Sequence, residues 1–225
     1  MGLEVLREKI SQQNIVICGA GPSLNDYIPM QHVIHIALNR AFLREDILFD
    51  YMLCLDFTSI HDQRVIDKLR ENKKLIKLWG VLPKKCESSI PDKILALPSS
   101  MQFAIANQIN EQWDETFRFA ESINAPMYYY QSVASVAFQI VGLLNPCTIY
   151  LVGMDFSNKG HFTSYGESFT DRNEHLRLVE ELWEQQRVIR LWESLKKWLN
   201  VISPKTKVIS INPYALKNIF EDYYI

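Results

Sequence analysis

Asn14-Ile-Val-Ile-Cys-Gly-Ala-Gly-Pro-Ser-Leu24 decides how this chain is read. Ile15 to Cys18 is an apolar run without polar alternation, the pattern of a strand buried on both faces in a parallel sheet. It stops at Gly19 and Gly21, which lack a Cβ and so permit a tight turn and a close approach by another group. Pro22 suits the first turn of a following helix, where its missing N–H costs nothing. Ser23 adds a hydroxyl. Strand, glycine turn and helix start together open a βαβ unit, and the N–H groups of such a start favour an anion. The turn is neither a full Gly-x-Gly-x-x-Gly fingerprint nor a P-loop, since no Gly-Lys-Ser/Thr follows. A plain turn capped by Ser23 is the other reading.

Outward from this unit, strands and helices alternate. Val33–Ala37, Tyr51–Leu55, Leu75–Leu78, Ile94–Leu97, Thr148–Val152 and Lys207–Ile211 read as further strands. Met1 to Gln13 reads as a polar amphipathic helix, and Ser132 to Leu144 as a helix apolar on most faces. A long amphipathic helix or helix pair runs from about Asp171 to Asn200, Ser203-Pro204 breaks it, and a short helix begins near Pro213 or Tyr214. Alternating elements with continuous apolar strands predict an α/β, Rossmann-like three-layer domain with a mostly parallel sheet. No repeat or linker divides the chain. Residues 1–225 are expected to form a single nucleotide-binding domain with its core at about 14–220.

The 225 residues are 48% hydrophobic and 22% charged with net charge −2. That composition excludes a disordered chain and carries no basic signature, so no nucleic-acid partner is expected. No apolar run approaches the roughly 20 residues that span a bilayer, and Met1–Gln13 has no signal-peptide h-region. Cys18, Cys54, Cys86 and Cys147 show no metal-ligand spacing. Cys18, Cys54 and Cys147 lie in or beside strands and read as small buried hydrophobes of a reducing compartment. A cytoplasmic protein follows, with the inner face of the membrane as the alternative. The aromatic content of 12%, much of it after Gln112, leaves three uses open: a thick core, a homo-oligomer interface, or a surface meeting sugars or lipids.

Ligands of open α/β sheets bind beyond the carboxyl ends of the strands, so polar residues just past each strand are the candidates. Gly19, Ala20, Gly21, Pro22 and Ser23 are read as a main-chain cradle for phosphate. Asn39, before Arg40, stands where dinucleotide folds carry a ribose-reading acid, and its amide suits a base edge or ribose hydroxyls. Asp56 ends the third strand and suits a ribose, a substrate hydroxyl or a metal, or a helix cap. Gly153 and Asp155 follow Val152, with His161 a few residues on. His161 and His175 are the candidate general bases, since imidazole titrates near neutrality. His32, His35 and His61 read as structural. No hydrolase elbow, zinc-peptidase motif or Asp-x-Asp is present; no resident metal is assigned, and Asp56 and Asp155 are left as the pair that could share a Mg²⁺ held mainly through ligand phosphates.

Several of these segments, Gly19-Ala-Gly-Pro-Ser-Leu24, Asn39-Arg40, Asp50-Tyr51 leading to Asp56, Ile149-Tyr-Leu-Val-Gly-Met-Asp-Phe156 and Gly160-His-Phe162, together resemble the MptE-like domain. That family takes its name from an archaeal 6-hydroxymethylpterin diphosphokinase, and bacterial members look like surface-polysaccharide or flagellin-glycosylation proteins. The same landmarks, with Ile211-Asn-Pro-Tyr-Ala-Leu216, are similar to those of bacterial sialyltransferases of glycosyltransferase family 42, which use CMP-sialic acid. The chain departs from both patterns. It has Asn39-Arg40 and Leu55-Asp56-Phe57 where the diphosphokinases carry acidic elements, and Asp56 where the sialyltransferases carry Asn.

What the resemblance implies is a transferase of cell-surface polysaccharide or glycoconjugate synthesis that uses a CMP-activated acidic sugar and a carbohydrate acceptor. Gly19–Ser23 would hold phosphate, Asn39 and Asp56 would contact base or ribose, Asp155 would shape the pocket, and His161 or His175 would act as base. The alternatives are a Mg²⁺- and ATP-dependent diphosphokinase acting on a pterin-like alcohol, and a non-catalytic nucleotide-binding module.

Overall fold

The computed structural model describes residues 3–55, 59, 61–81, 92–107, 117–130, 132–156, 162 and 185–225. Nine strands form one sheet: β1 (Asn14–Cys18), β2 (Ile34–Leu38), β3 (Tyr51–Cys54), β4 (Ile76–Val81), β5 (Ser100–Asn107), β6 (Met127–Tyr129), β7 (Thr148–Val152), β8 (Lys207–Ile211) and β9 (Glu221–Tyr223). Their order is β6-β5-β4-β3-β2-β1-β7-β8-β9, and every described pairing is parallel. This is the Rossmann-like α/β architecture expected from the alternation. The strand order reverses between β1 and β7, whose register aligns Cys18 with Val152.

Strand alternation sorts the core into two layers. Ile15 and Ile17 of β1 face one side, and Val16 and Cys18 face the other; all are fully buried. On the first side pack α4 (Val133–Leu143) and α5 (Gln185–Ile202), where Phe138, Trp192 and Phe220 form an aromatic cluster with ring centroids 5.3–6.1 Å apart. The short N-terminal elements, a 3-10 turn at Leu3–Leu6 and α1 (Arg7–Ile10), bury Leu3, Leu6 and Ile10 in the same layer. On the second side lie Leu24, Tyr27, Phe42 and Phe49 with Val65 and Leu69 of α2 (Gln63–Glu71) and Ile94 of α3 (Asp92–Leu95). Gln139 is buried in α4 and bonds four peptide groups. Its Oε1 accepts from Ala120 and Tyr128 N–H, and its Nε2 donates to the Tyr128 and Ser135 carbonyls. It thereby ties the segment before α4 to the helix.

Some expectations are corrected. Ile94–Leu97 is not a strand: its first residues close α3, and only Ile94 of the four is buried. A four-residue apolar run has too few turns for periodicity to decide. The neighbouring strand is β5, whose Met101, Phe103 and Ile105 face in while Gln102 and Ala104 face out. After Pro213 the chain makes turns rather than a helix, and then adds the edge strand β9. Cys147 is exposed, while Cys18 and Cys54 are buried free thiols as expected. Burial pushes the Cys18 thiol far up, which leaves it inert. Trp192 and Trp198 belong to the core and its margin, whereas Tyr223 and Tyr224 are exposed. Residues 171–184 lie outside the described residues. No described helix is long and apolar enough to cross a membrane.

Among the structural histidines, His35 carries a consequence for stability. It is buried in β2, and its Nε2 lies 2.9 Å from the Tyr27 hydroxyl, which also accepts from Met30 N–H at 3.2 Å. Burial pushes the Tyr27 phenol up to about 12. Burial also lowers the His35 pKa below 6.5, opposed by the Asp50 charge. The folded state therefore binds fewer protons at His35 than the unfolded chain. Its contribution is complete above the unfolded pKa and is lost as pH falls through that value towards the folded one. Urea midpoints are expected to drop between about pH 7.5 and 5, and His35→Gln is expected to flatten that drop. An unchanged slope in the variant would assign the acid sensitivity elsewhere.

Candidate functional site

The crevice where strand order reverses is closed by two loops that read in the sequence as separate motifs. Gly19–Leu24 follows β1 and Gly153–Phe156 follows β7. The β1–β7 ladder continues past the strand ends, with Gly19 N–H donating to Val152 O at 2.8 Å and Gly21 N–H to Gly153 O at 2.9 Å. Ser23 then reaches across. Its Oγ accepts from Gly153 N–H at 3.1 Å and donates to Asp155 Oδ2 at 2.9 Å, and its own N–H donates to the same carboxylate oxygen at 3.1 Å. Both side chains are buried, at 8% exposure each, where hydrogen bonds to a charged group are strong and unmet donors costly.

This interlock explains the glycines. A Cβ on Gly21 would stand 2.0 Å from Asp155 Oδ2 and 2.8 Å from Gly153 O, and one on Gly19 would stand 2.4 Å from Gly153 O. Gly153 sits at φ +67°, with its Cβ position 2.2 Å from Gly19 O. The room made by the missing side chains is taken by the facing loop. The anion at the start of the short 3-10 helix Pro22–Leu24 is the chain's own Asp155 carboxylate. A phosphate cradle was read from Gly19, Ala20, Gly21, Pro22 and Ser23; of its donors, the N–H groups of Gly19, Gly21 and Ser23 are committed within the protein.

Further segments dock onto this unit. Phe162 is buried and donates its N–H to Ala20 O at 3.0 Å, and Ala215 N–H approaches Asp155 O at 3.4 Å. Beside it lies a shallow depression, lined by Ser23, Met154, Ser210, Asn212, Pro213 and Leu216, that encloses no room for a ligand. Ser210 Oγ is buried there without a hydrogen-bond partner among the described residues. Ser210 was not among the sequence candidates; its only signal is its place at the end of β8.

At the end of β2, Asn39 adopts φ +49°, and its Oδ1 accepts from Leu55 N–H at 3.3 Å. That oxygen therefore finishes β3 instead of facing a ligand. Next to it, Arg40 Nε lies 3.2 Å from Asp62 Oδ2, and Arg64 Nη2 lies 2.6 Å from the same atom. Burial raises the Asp62 carboxyl, but hydrogen bonds from Arg64 and the charges of both guanidiniums outweigh it and hold the group below the usual carboxylate range. Asp62 and Arg64 were not singled out in the sequence.

Of the residues expected to make the site, the structure brings together Gly19, Gly21, Ser23, Gly153 and Asp155, with Ala20 and Pro22 in the same turn, and sets Asn39 at the end of β2. Asp56, His161 and His175 lie outside the described residues. Among the described residues, no three His, Cys, Asp or Glu side chains gather to hold a metal ion.

The family described as 6-hydroxymethylpterin diphosphokinase MptE-like matches residues 2–161, more than two thirds of the chain and all of the β1–β7 interlock. No curated protein and no solved structure matches the chain.

Proposed function

The chain belongs to the 6-hydroxymethylpterin diphosphokinase MptE-like family, and on that premise we propose that it is a nucleotide-dependent transferase acting on an acceptor hydroxyl. The reading is supported by the extent of the family match, which covers both loops at the strand-order reversal, the place where open α/β sheets bind ligands. In the form that the family description suggests, the acceptor oxygen attacks the β-phosphorus of ATP. The bond from that phosphorus to the α–β bridging oxygen breaks, AMP leaves, and the hydroxyl proton passes to a base. His161 or His175 is assigned that proton, and a positioned base contributes roughly 10²–10⁴-fold.

In this reading Asp155 does not touch substrate. Its Oδ2 holds Ser23 N and Oγ and so fixes the floor of the crevice. Magnesium accompanies ATP phosphates in such chemistry. The described residues do not form a site for it, with Asp155 Oδ2 already accepting two hydrogen bonds, and no step is assigned to a metal.

A second reading, transfer of an acidic sugar from a CMP donor, is favoured by Asn39-Arg40, which stands where the diphosphokinases carry an Asp-Gly and so lacks one acidic ligand for the metal that accompanies ATP. Titration calorimetry with ATP and Mg²⁺, CMP, CDP, UDP and GDP separates the two. ATP binding with AMP release from a hydroxymethyl acceptor supports the first, and CMP binding supports the second. If no nucleotide binds, the transferase reading fails in both forms.

A further inference from the structure

The Ser210 hydroxyl is not used by the reaction just described. Ser210 stands near the end of β8, in register with Leu151 of β7. It is 2% exposed, and its Oγ has no hydrogen-bond partner among the described residues. Alanine would fill such a place without burying a polar group, whereas an unmet buried hydroxyl is a standing loss. The place is the carboxyl edge of the sheet, one strand from the order reversal between β1 and β7, where open α/β sheets take their ligands.

The depression around Ser210 is closed as it stands, and the turn after β8 is part of its wall. Both ends of that turn are fastened. Asn212 donates its N–H to Tyr223 O at 2.8 Å and accepts at Oδ1 from Ile225 N–H at 3.0 Å. Leu216 is 1% exposed and belongs to the first apolar layer. Between these ends the ties are weaker. Pro213 has no N–H to give, and Tyr214 is exposed. Ala215 N–H lies 3.4 Å from Asp155 O, and Lys217 N–H lies 3.5 Å from Tyr214 O, at the outer limit of a hydrogen bond. Hinges of loop closures are residues at element ends, and Asn212 follows β8 with φ +46°.

We propose that residues 213–215 are a strap, pivoting between Asn212 and Leu216, that lifts to let a ribose hydroxyl of the nucleotide reach Ser210 Oγ and then closes over it. This rests on the nucleotide reading above. A hydroxyl suits the place better than phosphate. Ser23, which lines the same depression, already holds the Asp155 carboxylate, and a serine hydroxyl can both donate to and accept from another hydroxyl.

Alkylation of Ser210→Cys by iodoacetamide, followed thiol by thiol by peptide mass spectrometry, measures the opening. Cys18 is fully buried in β1 and reports global unfolding in the same molecule. The introduced thiol is expected to react about 10-fold faster than Cys18 or more. Whichever of ATP with Mg²⁺ or CMP the parent binds is expected to slow the introduced thiol beyond any slowing of Cys18. In Ser210→Ala the urea midpoint is expected to stay level or rise, because no bond is lost, while nucleotide affinity falls about 5-fold or more. A hydroxyl with only a structural role would give the opposite pair of results. Equal reaction rates for the two thiols overturn the strap. So does a bound nucleotide that fails to protect the introduced thiol, or an affinity in Ser210→Ala within about 2-fold of the parent. Fast alkylation in a chain that binds none of the nucleotides leaves the strap standing and removes the nucleotide reading.

Discussion

Gly153→Ala is expected to destabilise the chain by about 2 to 5 kcal/mol. Two costs add. The backbone at Gly153 has φ +67°, a left-handed conformation that costs a residue with a Cβ roughly 1–2 kcal/mol. The new methyl would also stand 2.2 Å from Gly19 O, a backbone atom fixed in the β1–β7 ladder, and forcing such overpacking costs roughly 1–3 kcal/mol more. Against a total stability of about 5–15 kcal/mol this is a large fraction. Gly142→Ala is the control. Its Cβ would meet the Leu199 and Trp198 side chains at 2.8 and 3.0 Å, so it carries the overpacking cost without the left-handed backbone, and alanine is the better helix residue. Urea unfolding of both variants checks the contrast; a Gly153→Ala protein within about 1 kcal/mol of the parent would show that the two loops do not meet as described.

Asp155→Ala is expected to cost about 2 to 4 kcal/mol and to abolish nucleotide binding. The carboxylate is buried, and its loss leaves Ser23 N–H and Oγ–H without their acceptor. It also frees Ser23 Oγ to turn away from Gly153 N–H. Asp155→Asn keeps an oxygen acceptor of the same reach, so about half of the stability is expected to return. The same urea series, read beside calorimetry with the nucleotide that the parent binds, separates these effects. Nucleotide affinity unchanged in Asp155→Ala would show that the interlock does not form the floor of the crevice.

How much of this could be read in the residues follows from the range of each interaction. β1, β7 and the turn between strand and helix were legible because apolar runs and glycine punctuation are local. β5 escaped because its signal is alternation, with Met101, Phe103 and Ile105 buried and Gln102 and Ala104 exposed between them, rather than the continuous apolar run that marks β1 and β7, and β9 because Glu221-Asp-Tyr223 carries no apolar pattern and is a strand only through its pairing with β8. Gly21 was legible as a place where something comes close. What comes close is Asp155, from the loop after β7, and no local pattern says whether an absent Cβ makes room for a ligand or for the protein's own carboxylate. Asn39 posed the same ambiguity, and its Oδ1 went to Leu55. Arg40 was visible, but the Asp62 carboxylate it pairs with comes from the N-cap of α2, across β3.

The interlock of the two loops carries the account, and a double-mutant cycle on Ser23→Ala and Asp155→Ala measures it most directly. Side chains in direct contact show coupling of roughly 0.5–3 kcal/mol, and independent sites add within about 0.5 kcal/mol. The expected result is a coupling energy of about 1 to 3 kcal/mol in urea unfolding, because either substitution alone already breaks the Oγ–Oδ2 bond. Additive losses within about 0.5 kcal/mol would contradict it, and would place Ser23 and Asp155 in separate roles at the edge of the sheet.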